Sequence, residues 1–257
     1  WAPREFPRGV RVRCQMCIID GLYCGASEMA GHLTGIYPEW WNGRRFSQPI
    51  TAWAGGVSNE TTRDIVQAEL LGSPDDPEAF GSGAIPRKNI IKTERKPGVP
   101  NAKSVALVRH ISGENSSLHF KAYEMGVDKW QGRSVDVVWL DEEPSRELYS
   151  QAVTRTLDRR GMVYMTFTPE HGMTETVAAF INNIKKGQSL TNATWDHASE
   201  KIKTKNGVDG HLSESVMEQI LSAYSPHERE MRRYGRPSIG SGLIFPINEE
   251  DLMVDPL

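Results

Sequence analysis

Val135-Asp136-Val137-Val138-Trp139-Leu140-Asp141-Glu142-Glu143-Pro144 decides the reading of this chain. An apolar run of the kind that forms a buried strand ends abruptly in three carboxylates. This is the shape of a Walker B element. The strand plants one carboxylate at a sheet edge, where it holds magnesium, and the next acid polarises water against a phosphate. A second apolar run, Met162-Val163-Tyr164-Met165, ends in Thr166-Phe167-Thr168-Pro169. Two strands that both place polar residues at their carboxyl ends predict one crevice in a parallel sheet.

The surrounding pattern agrees. Helical spacing covers 24–33, a strand with a glycine exit covers 50–56, and a helix covers 61–71. Residues 73–103, rich in Gly, Pro and charge, read as a long loop carrying the basic residues Arg87, Lys88, Lys92, Arg95 and Lys96. Strands follow at 105–110, 117–123 and 135–141, then a helix over 145–159, a strand over 162–168, a helix over 174–186 and a strand over 191–195. A helix over 213–224 is predicted to bury Val216, Ile220 and Leu221. Ser225-Pro226-His227-Glu228 is a capped start for a last helix that stops at Gly235. Alternating strands and helices give an α/β fold with a mostly parallel sheet.

Bulk properties narrow the function classes. The 257 residues carry 30 Lys and Arg against 33 Asp and Glu, a net charge of −3. This excludes a uniformly basic nucleic-acid binder but not a local basic lining. No apolar run reaches the length of a membrane-spanning helix. Three cysteines, Cys14, Cys17 and Cys24, lack the second pair that a metal site needs and read as free thiols.

The acids point to phosphoryl transfer, with Asp141 holding Mg²⁺ through a water and Glu142 as base. Glu143 is expected to support the start of the 145–159 helix. Thr166 and Thr168 are placed to hydrogen-bond the acids or a terminal phosphate. The basic loop at 87–103 is a candidate DNA-phosphate track. His110 and His171 read as ordinary histidines, and the Trp40-Trp41 loop with Arg44-Arg45 as a packed anchor. A carboxylate metallonuclease using Asp141, Glu142 and Glu143 is the lesser rival, because neighbours on a strand alternate faces and three adjacent acids seldom converge on two metals.

Several segments together resemble the large subunit of tailed-phage terminases, the DNA-packaging motor. They are the run from Glu28 to Trp41, Gly43-Arg44-Arg45-Phe46, Gly83-Ala84-Ile85-Pro86, the acidic strand, Thr166-Phe167-Thr168-Pro169, Glu228-Arg229-Glu230 and Gly235-Arg236-Pro237. Their order and spacing carry the resemblance. It implies a RecA-like, P-loop-NTPase-type sheet flanked by helices, with ATP and Mg as cofactors. Asp141 then corresponds to the magnesium carboxylate, Glu142 to the catalytic glutamate, and Thr166 to Pro169 to the motif that couples hydrolysis to DNA movement. The implied partners are double-stranded DNA, the portal protein, the small terminase subunit and other copies in a ring on the portal. The implied location is the host-cell cytoplasm, without a membrane.

Two departures from the family pattern stand out. No phosphate loop is recognisable: G-x-x-x-x-G-K-[ST] is absent, and the first lysine is Lys88. Residues 1–22 are therefore expected to be an aberrant or truncated segment, 23–240 the ATPase domain, and 241–257 a linker toward a nuclease domain that is not expected here. A phosphate loop supplies several charge-assisted hydrogen bonds of roughly 1.5–3 kcal/mol each. Its loss predicts impaired hydrolysis and leaves an alternative, a nucleotide-dead module that docks on DNA or the portal. Arg155 is one of several arginines available as a charge-stabilising finger, and the sequence does not select among them.

Overall fold

The computed structural model describes residues 11–16, 20–182, 184–199 and 212–237. In chain order the strands and helices are β1 (Arg11–Met16), α1 (Asp20–Thr34), β2 (Thr51–Gly56), α2 (Asn59–Thr61), α3 (Ala68–Leu71), β3 (Ile90–Arg95), β4 (Lys103–Arg109), β5 (Asn115–Ala122), β6 (Val137–Asp141), α4 (Arg146–Leu157), β7 (Met162–Phe167), α5 (Glu175–Ile181), β8 (Gln188–Asn192), α6 (Glu214–Ser222) and α7 (Pro226–Tyr234). A π-helical stretch, Thr62–Gln67, joins α2 to α3 without a break.

Among the described residues the strands form one eight-stranded sheet in the order β3-β4-β5-β2-β6-β7-β1-β8. Every pairing from β5 to β8 is parallel, and only β4 runs against its neighbours. The sequence explains the parallel centre. β6 and β7 are apolar on both faces and buried throughout, as strands covered by helices on both sides must be. Val137, Trp139, Met162 and Tyr164 face one core with Ala26, Met29 and Leu33 of α1. Val138, Leu140, Val163, Met165 and Phe167 face the other, with Leu148 and Ala152 of α4 and Val177 and Phe180 of α5.

One notch fixes α1 to the sheet. Trp139 and Tyr164 stack at 6.0 Å between ring centroids, and the Tyr164 hydroxyl donates to the Gly25 carbonyl at 2.8 Å. A methyl group at Gly25 would lie 2.7 Å from the Trp139 indole. Only glycine lets the helix approach this closely. The strand before this helix, β1, lies between β7 and β8, and the helix itself starts at Asp20, four residues before the expected Cys24.

Several elements differ from the sequence reading. The 73–103 stretch is not all loop: Ile90–Arg95 pairs with β4 as an edge strand. Ladder hydrogen bonds rather than burial hold it, so its Gly, Pro and charge-rich surroundings hide it. The helix expected over 174–186 ends at Ile181, and the strand expected over 191–195 lies at Gln188–Asn192. On α6, Met217 and Leu221 are buried against Trp195 and Leu212. Val216 and Ile220, expected inside, are 43% and 39% exposed. The last helix behaves as read: Ser225 and Glu228 form a reciprocal cap, and Gly235 closes it in the left-handed conformation at φ 63°. Cys17 lies outside the described residues.

The aromatic loop after α1 is anchored through Trp41 alone of its two tryptophans, since Trp40, expected to pack with it, is 69% exposed. Trp41 contacts Tyr37 and the fully buried His32, and Arg45 donates to the Pro38 and Trp41 carbonyls at 3.2 and 3.0 Å.

Gly25→Ala is expected to destabilise the fold by about 1–3 kcal/mol through overpacking against Trp139. Urea denaturation checks this; an unchanged midpoint would contradict the notch.

Candidate active site at the carboxyl ends of β6 and β7

Parallel pairing sets Asp141 directly beside Thr166. Both lie on the α1 face, two residues beyond Trp139 and Tyr164 respectively, because side chains alternate along a strand. A directed chain of hydrogen bonds joins the two tips. The Trp139 indole Nε1–H donates to Thr166 Oγ1 at 2.8 Å, and the Thr166 hydroxyl donates to Asp141 Oδ1 at 2.8 Å. An indole nitrogen only donates, so the threonine proton is directed at the carboxylate. The backbone repeats the tie, since the Glu142 N–H donates to the Thr166 carbonyl at 2.8 Å.

Glu142 ends the strand. Its φ of 68° lies in the left-handed region, which costs a non-glycine residue roughly 1–3 kcal/mol. The surroundings hold it there. The Tyr123 hydroxyl donates to the carbonyls of both Asp141 and Glu142, at 2.8 and 3.0 Å. Burial, with the nearby Asp141 and Glu142 charges, holds the Tyr123 hydroxyl well above the usual phenol range, so it stays a donor.

The acids are electrostatically loaded. Asp141 is 7% exposed. Burial pushes its carboxyl up to about 6, against the opposing effect of the Thr166 hydrogen bond. Glu142 is pushed up to about 7 by desolvation first, then by the charges of Asp141, Glu170 and Glu143, while Arg232 pulls it down. Glu142 nonetheless meets solvent at the crevice mouth, which screens its charge more than that of Asp141.

Glu143 departs from expectation. Ser145, not Glu143, caps α4, accepting from Leu148 N at 3.2 Å. Glu143 Oε1 instead accepts from the Thr174 hydroxyl, the cap residue of α5. Its Oε2 is buried and without a hydrogen-bond partner among the described residues. Thr168 is buried at the same tip, yet among the described residues its hydroxyl makes no hydrogen bond to the acids. Its carbonyl accepts from Glu170 N at 2.7 Å.

Arg87, Lys88, Lys92, Arg95 and Lys96 are not brought to this site. They run from the turn before β3 to the residue after it, at the sheet's far edge, four strand positions from β6. That is roughly 19 Å at the usual strand spacing. Lys92 pairs with Glu94 at 3.2 Å, and burial lowers the proton affinity of Lys96, which lies 3.5 Å from Met125 Sδ.

Glu170 and Arg232 are the site residues that the sequence reading missed. They form an ion pair of 2.7 Å beside Glu142. The available signal was the capped start at Ser225 and the stop at Gly235, which set the phase of the Arg-rich last helix.

A divalent cation fits one part of this site. Asp141 Oδ1 is committed to Thr166, and Oδ2 makes no hydrogen bond among the described residues. No group of three or more His, Cys, Asp or Glu able to hold a metal occurs among the described residues. This donor set suits Mg²⁺, which takes one or two carboxylates and completes its shell with phosphate and water.

Comparison with known proteins places the chain in a family. The profile of the family described as terminase large subunit, T4likevirus-type, N-terminal, matches residues 23–252. The chain belongs to the terminase large-subunit family. It is 36% identical over 251 residues to the terminase large subunit of Salmonella phage P22, covering 91% of this chain and 48% of that protein. It is 33% identical over 210 residues to the large subunit of Enterobacteria phage LP7, covering 80% and 42%. This terminase chain thus spans about half the length of the curated relatives it matches. The large terminase of a thermophilic bacteriophage superposes with a TM-score of 0.56 at 13% identity, over 90% of this chain and 48% of that one. A second structure of that phage terminase, in complex with ADP, gives 0.56 at 11% identity, over 87% and 48%. The likeness supports the α/β, RecA-like fold.

Two outcomes test this terminase site. Asp141 holds its proton more tightly folded than unfolded, so its ionisation opposes folding: the stability present below pH 4 is lost as pH rises through about 6. Asp141→Asn should therefore gain on the wild type by up to about 3 kcal/mol between pH 4 and 7. Denaturant midpoints at both pH values measure it; a constant difference would contradict the burial of the carboxylate. Thr166→Val should cost about 2–4 kcal/mol by stranding the Trp139 N–H and Asp141 Oδ1. In the same assay Thr166→Ser should fold like the wild type, and a harmless valine would deny the hydroxyl its joining role.

Proposed function

We propose that this chain hydrolyses ATP with Mg²⁺ at the β6–β7 tips and serves as the motor portion of a phage DNA-packaging machine. The observation that carries this reading is the Trp139–Thr166–Asp141 hydrogen-bond chain with Glu142 beside it. Asp141 would hold the metal through a water, with Oδ2 as the open acceptor. When bound, the metal would neutralise charge on the phosphate oxygens. Glu142 would take the proton of the attacking water. Its carboxyl, pushed up to about 7, is matched to accept a proton near neutrality. Thr166 would carry news of the phosphate, because its hydroxyl and its carbonyl are tied to the two acids separately. Thr168, at the same tip, would act through the backbone of the following loop.

Double-stranded DNA, the portal protein, the small terminase subunit and other copies of the chain are the partners of this reading. The basic residues of the 87–96 segment would follow DNA phosphates along the sheet edge, remote from the hydrolytic tips. The lack of a G-x-x-x-x-G-K-[ST] run leading into α1 favours a second reading, a docking module that binds no nucleotide.

Glu142→Gln decides between them. It should lower ATP turnover by at least about 100-fold while leaving ATP binding intact. Turnover measured with and without double-stranded DNA, beside calorimetric binding, is the check. Wild-type turnover in the variant would overturn the role of Glu142, and no ATP binding by the wild type would select the docking module.

A further inference from the structure

The α7 helix carries two neighbouring arginines with different tasks. Arg233 moors the helix: its Nη2 donates to Asp196 Oδ1 at 2.9 Å and to Glu214 Oε1 at 3.1 Å. Asn192 of β8 adds a bond to the Tyr234 carbonyl at 2.8 Å. Arg232, by contrast, reaches the acids. It pairs with Glu170 at 2.7 Å, lies 4.9 Å from the centre of the Tyr224 ring, and its charge is felt by Glu142.

Its present pairing is incomplete. Arg232 Nε is buried and has no hydrogen-bond partner among the described residues. Glu170, its partner, is 46% exposed, and an ion pair open to water on one side is worth roughly 0–1 kcal/mol. A guanidinium with an unused donor, held by a weak partner and within electrostatic range of Glu142, is poised for a better anion. Its planar fork matches phosphate oxygens in a way that a point charge does not. Arg155, the arginine named from the sequence, lies elsewhere: its Nη1 donates to the Gly132 carbonyl at 3.0 Å, and its own carbonyl accepts from Val135 at the amino end of β6.

We propose that Arg232 contacts the terminal phosphate of a bound nucleoside triphosphate, exchanging Glu170 for it, and so supplies positive charge to that phosphate from α7. The inference rests on the ATP-site reading above. It makes the α6–α7 pair respond to triphosphate and not to diphosphate, because only the triphosphate reaches the arginine.

Calorimetry with Mg²⁺ and either ADP or the non-hydrolysable analogue AMP-PNP tests this in the wild type, Arg232→Ala, Arg232→Lys and Glu170→Gln. Arg232→Ala should lose roughly tenfold or more in AMP-PNP affinity and little in ADP affinity. Arg232→Lys should recover part of that loss, and Glu170→Gln should bind AMP-PNP more tightly than the wild type by freeing the arginine. Circular dichroism establishes that each variant is folded; should the alanine variant fail, the lysine and glutamine variants carry the comparison. Equal losses for both nucleotides, or unchanged AMP-PNP affinity, would overturn the role of Arg232 and leave the ATP site standing. Binding of neither nucleotide by the wild type would end both.

Discussion

The hydroxyl of Thr166 is the joint on which this site depends. It sits between an indole that only donates and a carboxylate that only accepts, at the point where two interior strands end. Remove it and a buried N–H and a buried carboxylate oxygen both lose their partner, in a place water reaches poorly. The joint also explains why Trp139 is a tryptophan. The ring fills the space that Gly25 leaves under α1, and its nitrogen donates to the Thr166 hydroxyl, which in turn donates to Asp141. Packing and chemistry therefore share one side chain, and a change made for either is felt by both.

Around that joint the charges are arranged unevenly. Asp141 is deeply buried and meets a neutral donor, while Glu142 stands at the mouth among other acids with one arginine in range. Burial sets the first carboxyl and the neighbouring charges contribute to the second. Two acids in sequence thus acquire different environments, as the roles proposed for them, metal holder and base, would require. The strained backbone at Glu142 belongs to the same division, for it ends the strand's alternation between them. The Tyr123 hydroxyl, bound to both carbonyls, holds that turn in place.

Much of the fold was legible because its signals are local. Apolar runs ending in acids or threonines marked β6 and β7, and Ser225, Glu228 and Gly235 bounded α7. The edge strand β3 was not legible, because it is held by ladder bonds to β4 and its composition is that of a loop. The site was legible in part. Asp141, Glu142 and Thr166 carry a sequence pattern, and the sheet brings them together. Glu143 turned out to support α5 because its partner, Thr174, lies on a separate element. Arg232 and Glu170 meet only through the docking of α7, a tertiary event that the caps at Ser225 and Gly235 phase but do not specify.

The most direct test of the central claim is a crystal structure with Mg²⁺ and a non-hydrolysable ATP analogue. The metal is expected on the Asp141 side of the crevice, with the terminal phosphate facing Glu142 and the Thr166 hydroxyl still bonded to Asp141. A triphosphate bound away from the β6–β7 tips, or a metal with Asp141 turned from it, would contradict that claim.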